Sequence, residues 1–471
     1  MTHSALIHRQ VVANEMCIGC GACAFADPSV AGMRLDRFGR YTPWWSTPPE
    51  ATSQGDAVCP FSDASPDENR LGESLFGAEG TTPAPEHDRR LGHYRRIWVG
   101  HAGEEGDFRR LGSSGGLTNW LLAELMHRGE VDAVIGVGEL PREEGGMPLF
   151  GYQCIDSPGD LHRLAKSKYA PMTLETVLEE IVASEKRYAF VGVPCFVTAM
   201  RHLCREDARL AKRVRFCLAI VCGHLKSTAF AESLGWQLGI PPHELQGFDF
   251  RVKVENQPAN RYAVEAVSAT ERRRGQVFDL YGTDWGLGLF KYKACDYCDD
   301  IAGETADATL GDAWLPGPVQ DWRGTNILVV RHPLIESLLA EAAAAGRIAL
   351  ESQQAEAFVS SQAANYRHRH DGLSYRLYLD EQAGRWAPRK RIAPSEDALP
   401  PRRRRMMVLR SELREASHQA FLDAKQAGVY RRFPRQLRGR LLAYHYHAGS
   451  LLKHLVKQGL IGLRRFINIK V

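Results

Sequence analysis

The middle of the chain alternates between short apolar runs and segments whose apolar residues recur at helical spacing. Apolar runs of strand length are Ile97–Gly100, Val131–Val137, Tyr188–Val193, Phe216–Val221 and Asn326–Val330. Helical spacing marks residues 117–126, 173–184, 196–204 and 332–345 between them. Strands that alternate with helices predict an α/β core. Residues 245–292 carry runs typical of antiparallel strands, and residues 355–400 are less regular, so we expect a mixed α/β (α+β) core.

The densest group of cysteines lies near the N-terminus. Cys17, Cys20 and Cys23 are each separated by two residues, and Cys59-Pro60 follows 35 residues later. Three closely spaced cysteines and a remote Cys-Pro are typical of a ferredoxin-like 4Fe–4S site. The alternative is zinc, whose sites usually take their ligands as two separated pairs. We expect residues 1–75 to form a segment with one such cluster, followed by a linker over residues 64–92, which are rich in turn-forming residues.

A second candidate metal site begins with Cys295 and Cys298, which are two residues apart on a charged loop. Such a pair supplies only half of a four-cysteine site. Cys195 and Cys222 each stand where an apolar, strand-like run gives way to Gly or Pro, and a loop at a strand end can hold a ligand there. We therefore interpret these four cysteines as one iron–sulfur site.

Two polar segments are candidate phosphate-binding loops. Ser113, Ser114, Gly115 and Gly116 precede the predicted helix 117–126, where free N–H groups and the helix dipole favour phosphate. The alternative for this loop is a plain turn with a helix cap. Lys166, Ser167, Lys168 and Tyr169 form either a solvated turn or the second wall of a phosphate or flavin site.

Composition and charge limit the function classes. The 471 residues are 44% hydrophobic and 25% charged, as in ordinary soluble proteins, and no apolar run has the roughly 18 residues of a membrane span. Without a signal-peptide pattern we expect a cytoplasmic protein, in which eleven cysteines are better cluster ligands than disulfide partners.

The C-terminal segment differs from the rest of the chain in charge. Residues 401–471 carry 17 Lys/Arg against 3 Asp/Glu, whereas the preceding 400 residues are acidic on balance. Helical spacing around 406–427, 434–446 and 449–469 predicts a basic helical extension, a separate physical unit from the acidic body. Its helices either pack on the body, lie on an anionic membrane surface or dock an acidic partner. No nucleic-acid motif is present, so nucleic acid is not an expected partner.

Six motifs in fixed order resemble the family formed by the beta subunits of coenzyme F420 hydrogenases and dehydrogenases. They are the Cys17–Cys23 triplet, the loop 112–116, the segment 166–169, Gly192-Val193-Pro194-Cys195, Cys222-Gly223-His224, and Cys295-x-x-Cys298 with Gly311-Asp312. The resemblance covers roughly residues 10–330. The family includes hydroxymethyl-chlorophyll and divinyl-chlorophyllide reductases, and its members bind FAD and one or more 4Fe–4S clusters.

The resemblance implies two 4Fe–4S clusters and one FAD. Residues 93–180 would form a flavin-binding half, in which Ser113–Gly116 cradle the FAD phosphates and Lys166–Tyr169 lie beside the flavin. Residues 181–350 would hold the cluster of Cys195, Cys222, Cys295 and Cys298 nearer the flavin. The ferredoxin-like segment would hold the second cluster. Lys168, Tyr169 and His224 are the candidates for a general acid, with nothing in the sequence to separate them.

Such a protein would couple single-electron transfer to a two-electron reaction. We expect it to exchange electrons with ferredoxin or another one-electron carrier and to act through FAD on a small organic substrate or on the deazaflavin coenzyme F420. The alternative is a non-catalytic relay that passes electrons from ferredoxin to a partner enzyme, for example one in polysaccharide synthesis. A third interpretation places structural zinc at both cysteine sites.

Overall fold

The computed structural model describes residues 6–46, 53–77, 84–140, 148–456 and 459. Their strands are β1 Val30–Leu35, β2 Tyr41–Trp45, β3 Glu86–Asp88, β4 Gly92–Tyr94, β5 Arg96–Ala102, β6 Ala133–Glu139, β7 Phe150–Ile155, β8 Tyr188–Gly192, β9 Val214–Ile220, β10 Gly247–Val252, β11 Ala263–Val267, β12 Arg272–Gln276, β13 Ala308–Asp312, β14 Asn326–Val330 and β15 Ile348–Gln353.

The α-helices surround these strands. They are α1 Ala22–Ala26, α2 Gln54–Val58, α3 Glu68–Phe76, α4 Phe108–Leu111, α5 Leu117–His127, α6 Glu175–Ala183, α7 Pro194–Glu206, α8 Ala208–Arg213, α9 Ala229–Gln237, α10 Pro333–Ala344, α11 Ala355–Ser361, α12 Ala363–Tyr366, α13 Gly372–Gln382, α14 Pro401–Gln426 and α15 Arg432–His447. Short π-helices span Ile7–Val12 and Arg367–Asp371, and 3-10 helices span Glu105–Asp107, Pro158–Leu164, Val277–Asp279, Trp285–Leu287, Lys293–Asp296 and Pro318–Gln320.

An eight-stranded mixed sheet organises the chain, in the order β15-β5-β14-β13-β9-β8-β6-β7. Its centre is parallel, since β13, β9, β8 and β6 run in one direction, while the remaining pairs are antiparallel. Buried apolar side chains cover both faces, which explains why β14 is buried at all five positions. The predicted mixed α/β core is confirmed, and strands from both predicted core halves share this one sheet.

Residues 247–276 form the smaller sheet that the sequence predicts. Its strands β10, β11 and β12 are antiparallel throughout. The N-terminal region carries a separate hairpin of β1 and β2, beside the short helices α1 and α2. The smaller sheet and the helices α1 and α2 pack against the same hydrophobic core as α6 and α7, whereas Val30 and Trp45 of the hairpin pack in a small cluster with Ile7.

Two sequence interpretations are wrong. The predicted linker over residues 64–92 contains α3 and the hairpin of β3 and β4, apart from residues 78–83, which lie outside the described residues. Residues 355–382 contain helices α11 to α13 and a π-helix, so the description of 355–400 as less regular is wrong there and holds only for residues 383–400. Their inward positions include buried arginines such as Arg369 and Arg376, which interrupt the apolar periodicity that predicts a helix.

The C-terminal helices α14 and α15 pack on the body of the protein, the first of the three alternatives given for the basic extension, so they are not a separate unit. Met407, Leu413 and Phe421 of α14 are buried in the core that also contains β8 and α7. The Arg414 guanidinium pairs with the buried carboxylate of Asp296. The helix predicted over 449–469 lies largely outside the described residues. No helix in the described part of the chain has the length and apolarity of a membrane span.

The first testable prediction concerns His202, which is buried on α7 and whose ring nitrogens have no hydrogen-bond partner in the described part of the chain. Burial lowers the pKa of His202 to about 4, whereas an unfolded histidine titrates near 6.5. Because the unfolded chain binds this proton first, acidification from pH 7 to pH 5 costs about 2 kcal/mol of the free energy of unfolding at this residue. We expect denaturant unfolding to show that His202→Leu loses about 2 kcal/mol less of its free energy of unfolding than wild type does between pH 7 and pH 5. Equal losses in the two proteins would contradict the low pKa assigned to His202.

Candidate cofactor and cluster site

Four cysteines surround one small cavity at the carboxyl edge of the parallel strands. Cys195 lies in the first turn of α7, directly after β8, and Cys222 follows β9. Cys295 lies in the 3-10 helix Lys293–Asp296, and Cys298 comes two residues after that helix. Neighbouring parallel strands end at the same edge, so β8 and β9 bring the first two together. The cavity that all four line can therefore serve as a single four-cysteine site.

The other four candidate cysteines group around the short helices α1 and α2. Cys17 and Cys20 precede α1, Cys23 lies within it and Cys59 follows α2. Gly19 and Gly21 between them have φ angles of 77° and 80°, which a side chain rarely adopts. The Gly19 N–H donates a hydrogen bond to the Cys17 Sγ at 3.3 Å. After burial, the largest causes of the raised pKa of Cys23 are the neighbouring Cys20, Cys17 and Cys59 side chains. The four cysteines therefore lie close together as one group.

The two groups of cysteines are neighbours. Cys20 contributes to the raised pKa of the Cys195 thiol, and both act on the buried hydroxyl of Tyr152. Ile18 and Phe61, which flank the first group along the chain, line the cavity of the second. The two groups of cysteines therefore lie in adjoining parts of the structure.

Burial sets the protonation of the thiols. It raises the pKa of Cys17, Cys295 and Cys298 to about 11 and that of Cys20 to about 12, because a thiolate loses hydration inside the protein. Metal binding at these positions has to displace protons. Within the described residues, no three His, Cys, Asp or Glu side chains converge on a single ion. A cubane does not require that, because each thiolate binds a different iron.

Arg369 is a buried cation at the second group that the sequence interpretation missed. It lies in the π-helix Arg367–Asp371 and is only 2% exposed. Its Nη2 donates to the carbonyls of Cys222 and Gly223 at 2.7 and 2.6 Å, and its Nη1 donates to the Asp300 carbonyl at 3.0 Å and lies 3.5 Å from the Cys298 Sγ. No spacing or motif marks this arginine in the sequence.

A second, much larger cavity of about 1040 Å³ adjoins the first. Cys222 and Leu225 line both cavities, so they form a shared wall. The large cavity is also lined by most of the predicted cofactor and catalytic residues: Ser113, Ser114, Gly116, Lys166, Ser167, Lys168, Tyr169 and His224. Its volume is at the upper end of the range of about 300–1,000 Å³ for ligand pockets.

The Gly-Ser loop is fixed from three sides. The Leu117 N–H donates to the Asn326 Oδ1 at 3.1 Å, so a residue of β14 caps α5. The Ser113 hydroxyl accepts from the Ser167 N–H at 2.8 Å, which joins the two candidate loops. Gly115 lies against the strands of the central sheet, so closely that a Cβ at this position would lie 2.7 Å from the Asn326 side chain.

Basic residues gather around this loop. Burial lowers the pKa of Lys168 to about 8 and that of Lys253, which donates to the Ser114 carbonyl at 2.9 Å, to about 7. Lys166 pairs with Asp249. Arg251 of β10 makes a bidentate pair with Asp312 at 3.1 Å, which gives the Gly311-Asp312 motif its structural role. The sequence interpretation placed residues 248–251 in an antiparallel strand and gave Asp249, Arg251 and Lys253 no part in the site.

Aromatic rings separate the loop from the cluster cavity. The Tyr169 ring is edge-on to Trp285, with the centroids 4.8 Å apart, and the His224 ring lies 4.4 Å from the same tryptophan. Burial and neighbouring cations hold the pKa of His224 well below its usual range. Its Nε2 has no hydrogen-bond partner in the described residues. A neutral imidazole thus faces the wall that both cavities share.

Comparison with known proteins places this arrangement in a family. The model for the N-terminal part of the coenzyme F420 hydrogenase/dehydrogenase beta subunit matches residues 97–179, and that for its C terminus matches residues 185–356. Together they cover more than half of the chain. The protein belongs to this family of beta subunits. The N-terminal match contains the Gly-Ser loop and Lys168, and the C-terminal match contains Cys195, Cys222, Cys295 and Cys298.

Two individual proteins that resemble this chain have low sequence identity to it. One component of the F420H2 dehydrogenase of Methanosarcina mazei is 25% identical over 204 residues, which are 43% of this chain and 52% of the relative. The chain therefore spans about half the length of that curated relative. A chain of the F420-reducing [NiFe] hydrogenase complex from Methanosarcina barkeri aligns with a TM-score of 0.48 and 11% identity, over 65% of this chain and 99% of that one.

Proposed function

We propose that this beta-subunit relative is an iron–sulfur flavoprotein oxidoreductase. It would couple one-electron transfer through two 4Fe–4S clusters to a two-electron reaction at FAD, on a small organic substrate or coenzyme F420. The observation that carries the proposal is the wall of Cys222 and Leu225 between the four-cysteine cavity and the large cavity. A cluster exchanges one electron and a flavin one or two, so neighbouring sites can convert between them.

The residues of the chain have separate tasks in this proposal. The Ser113–Gly116 loop and Lys168 hold the FAD phosphates, since backbone amides and a lysine cation favour them. Tyr169 and Trp285 supply apolar faces for the ring system. Arg369 and the Leu225 N–H, which donates to the Cys295 Sγ at 3.2 Å, stabilise the charged cluster. His224 is the favoured proton carrier, because it lines the large cavity and its buried Nε2 has no hydrogen-bond partner in the described residues.

A relay subunit is the second candidate. The relative from Methanosarcina mazei is a component of a dehydrogenase, which supports a role in which this chain passes electrons from a carrier such as ferredoxin to a partner enzyme. Turnover of F420 or another small acceptor by the isolated chain would support the oxidoreductase function rather than the relay. A chain that takes up electrons and reduces only its partner is a relay.

Reductive titration of Lys168→Met tests the proposal. The wild-type chain should accept about four electrons from dithionite, one for each cluster and two for FAD. Losing a charge-assisted contact should weaken FAD binding about 10- to 100-fold, so the desalted variant should accept about two electrons. The control, Lys212→Met, removes an exposed lysine of α8 and should behave as wild type. Full flavin content in Lys168→Met would contradict the phosphate role.

A further inference from the structure

The C-terminal helices take part in the large cavity as well as in the core. Arg410 of α14 and Tyr444 of α15 line it, together with His224, Lys226 and His368. Both helices lie beyond residue 356, where the match to the family of beta subunits ends. Arg410 and Tyr444 therefore lie outside the region that the family models describe, whereas His224 and Lys226 lie inside it.

Arg410 is a cation without a carboxylate partner. Its Nη2 donates to the Tyr444 hydroxyl at 3.2 Å, and its Nη1 lies 3.3 Å from the His368 Nδ1. Its buried Nε has no hydrogen-bond partner among the residues that the structure describes. Arg414, one turn further along α14, pairs with both Asp296 and Glu415. Within the described residues, no carboxylate lies at ion-pair distance from Arg410. A partly buried guanidinium in this state favours an incoming anion.

Lys226, a second cationic side chain, and the neutral His224 line the same cavity as Arg410. Lys226 is 1% exposed, and its ammonium lies 4.6 Å from the Phe230 ring centroid and 5.0 Å from that of Trp285. Its Nζ donates to the Leu289 carbonyl, while the nearby Asp284 lies beyond ion-pair distance. Burial lowers the pKa of Lys226 to about 7. The free Nε2 of the buried His224 adds a third polar group without a counterpart.

We propose that Arg410, with Lys226 and His224, forms a subsite for a carboxylate or phosphate group of the substrate. The inference rests on the proposed function, because it takes the Gly-Ser loop and Lys168 as the site of the FAD phosphates. Arg410 is then the residue by which the C-terminal helices select an anionic substrate. Tyr444 and His368 hold its guanidinium in place.

The test compares two acceptors that differ in charge. Holoprotein that has been reduced with dithionite and desalted is mixed with 1,4-naphthoquinone-2-sulfonate or neutral 1,4-naphthoquinone. The dependence of the flavin reoxidation rate on concentration gives each acceptor's apparent Kd. Arg410→Met should raise the Kd for the sulfonate about tenfold or more and leave that for the neutral quinone unchanged. Arg410→Lys should give an intermediate value, and Arg438→Met, which removes an exposed arginine of α15, should match wild type.

Separate readouts distinguish the ways in which the idea can fail. An unchanged Kd for the sulfonate in Arg410→Met overturns the subsite. Loss of FAD from that variant, with iron retained, assigns the anion site to the flavin phosphate and overturns the substrate role. Calorimetric titration with inorganic phosphate needs no redox activity: binding that weakens in Arg410→Met supports the subsite even if the proposed function fails, and binding that is absent or unchanged contradicts it.

Discussion

Cys295→Ser is expected to lower the iron content from about eight to about four atoms per chain and to leave the N-terminal cluster in place. A serine hydroxyl is a poor substitute because iron–sulfur clusters require thiolate ligands. Cys17→Ser should remove the other four irons. The two variants should therefore share an iron count and differ in their electron paramagnetic resonance spectra after reduction.

Flavin content separates the two variants further. Cys295 belongs to the cavity that shares a wall with the large cavity, so we expect Cys295→Ser to disturb the flavin spectrum more than Cys17→Ser does. Cys204→Ser is the matched control, since Cys204 lies on α7 with Cys195 but outside both groups. It should keep all eight irons. A Cys295→Ser chain with eight irons would disprove the four-cysteine assignment.

Arg369→Met is expected to lose the cluster held by Cys195, Cys222, Cys295 and Cys298, although Arg369 is not itself a cluster ligand. The change leaves the carbonyls of Cys222, Gly223 and Asp300 without their donor and removes the cation that faces the four thiolates. Removing one partner of a buried charged network costs about 3–5 kcal/mol. Iron should fall towards about four atoms per chain, and the thermal midpoint of unfolding should drop.

Arg367 offers a control from the same π-helix, because its side chain is exposed. Arg367→Met should retain the wild-type iron content and stability. Arg369→Lys keeps the charge but cannot reproduce the forked hydrogen bonds, so it should fall between the two. If Arg369→Met keeps both its iron and its stability, the guanidinium has no role at the cluster.

Local patterns were sufficient to predict β5, β6, β8, β9 and β14 of the central sheet, but not β7 and β15 of the same sheet. The predicted strand Asn326–Val330 has the bounds of β14, and its last four residues are all apolar because the strand is buried on both faces. Cys195 was expected in a loop at a strand end and lies in the first turn of α7. Pro194 is the local signal for that difference, since proline is favoured at the first position of a helix.

Residues that act through distant partners were not predictable in this way. Arg369 reaches across about 70 residues of sequence to the Cys298 loop, and Arg251 pairs with Asp312 from another sheet. The basic character of residues 401–471 suggested a separate unit, yet Arg414 pairs with a buried carboxylate beside Cys295. Net charge along a sequence does not reveal which ion pairs tertiary packing will form.

The most direct test of the central claim is a count of iron, acid-labile sulfide and FAD in anaerobically purified wild-type protein. The account predicts about eight irons, eight sulfides and one FAD per chain, with the visible absorption of both cofactors. Zinc in place of iron, or folded protein with neither iron nor flavin, would contradict it.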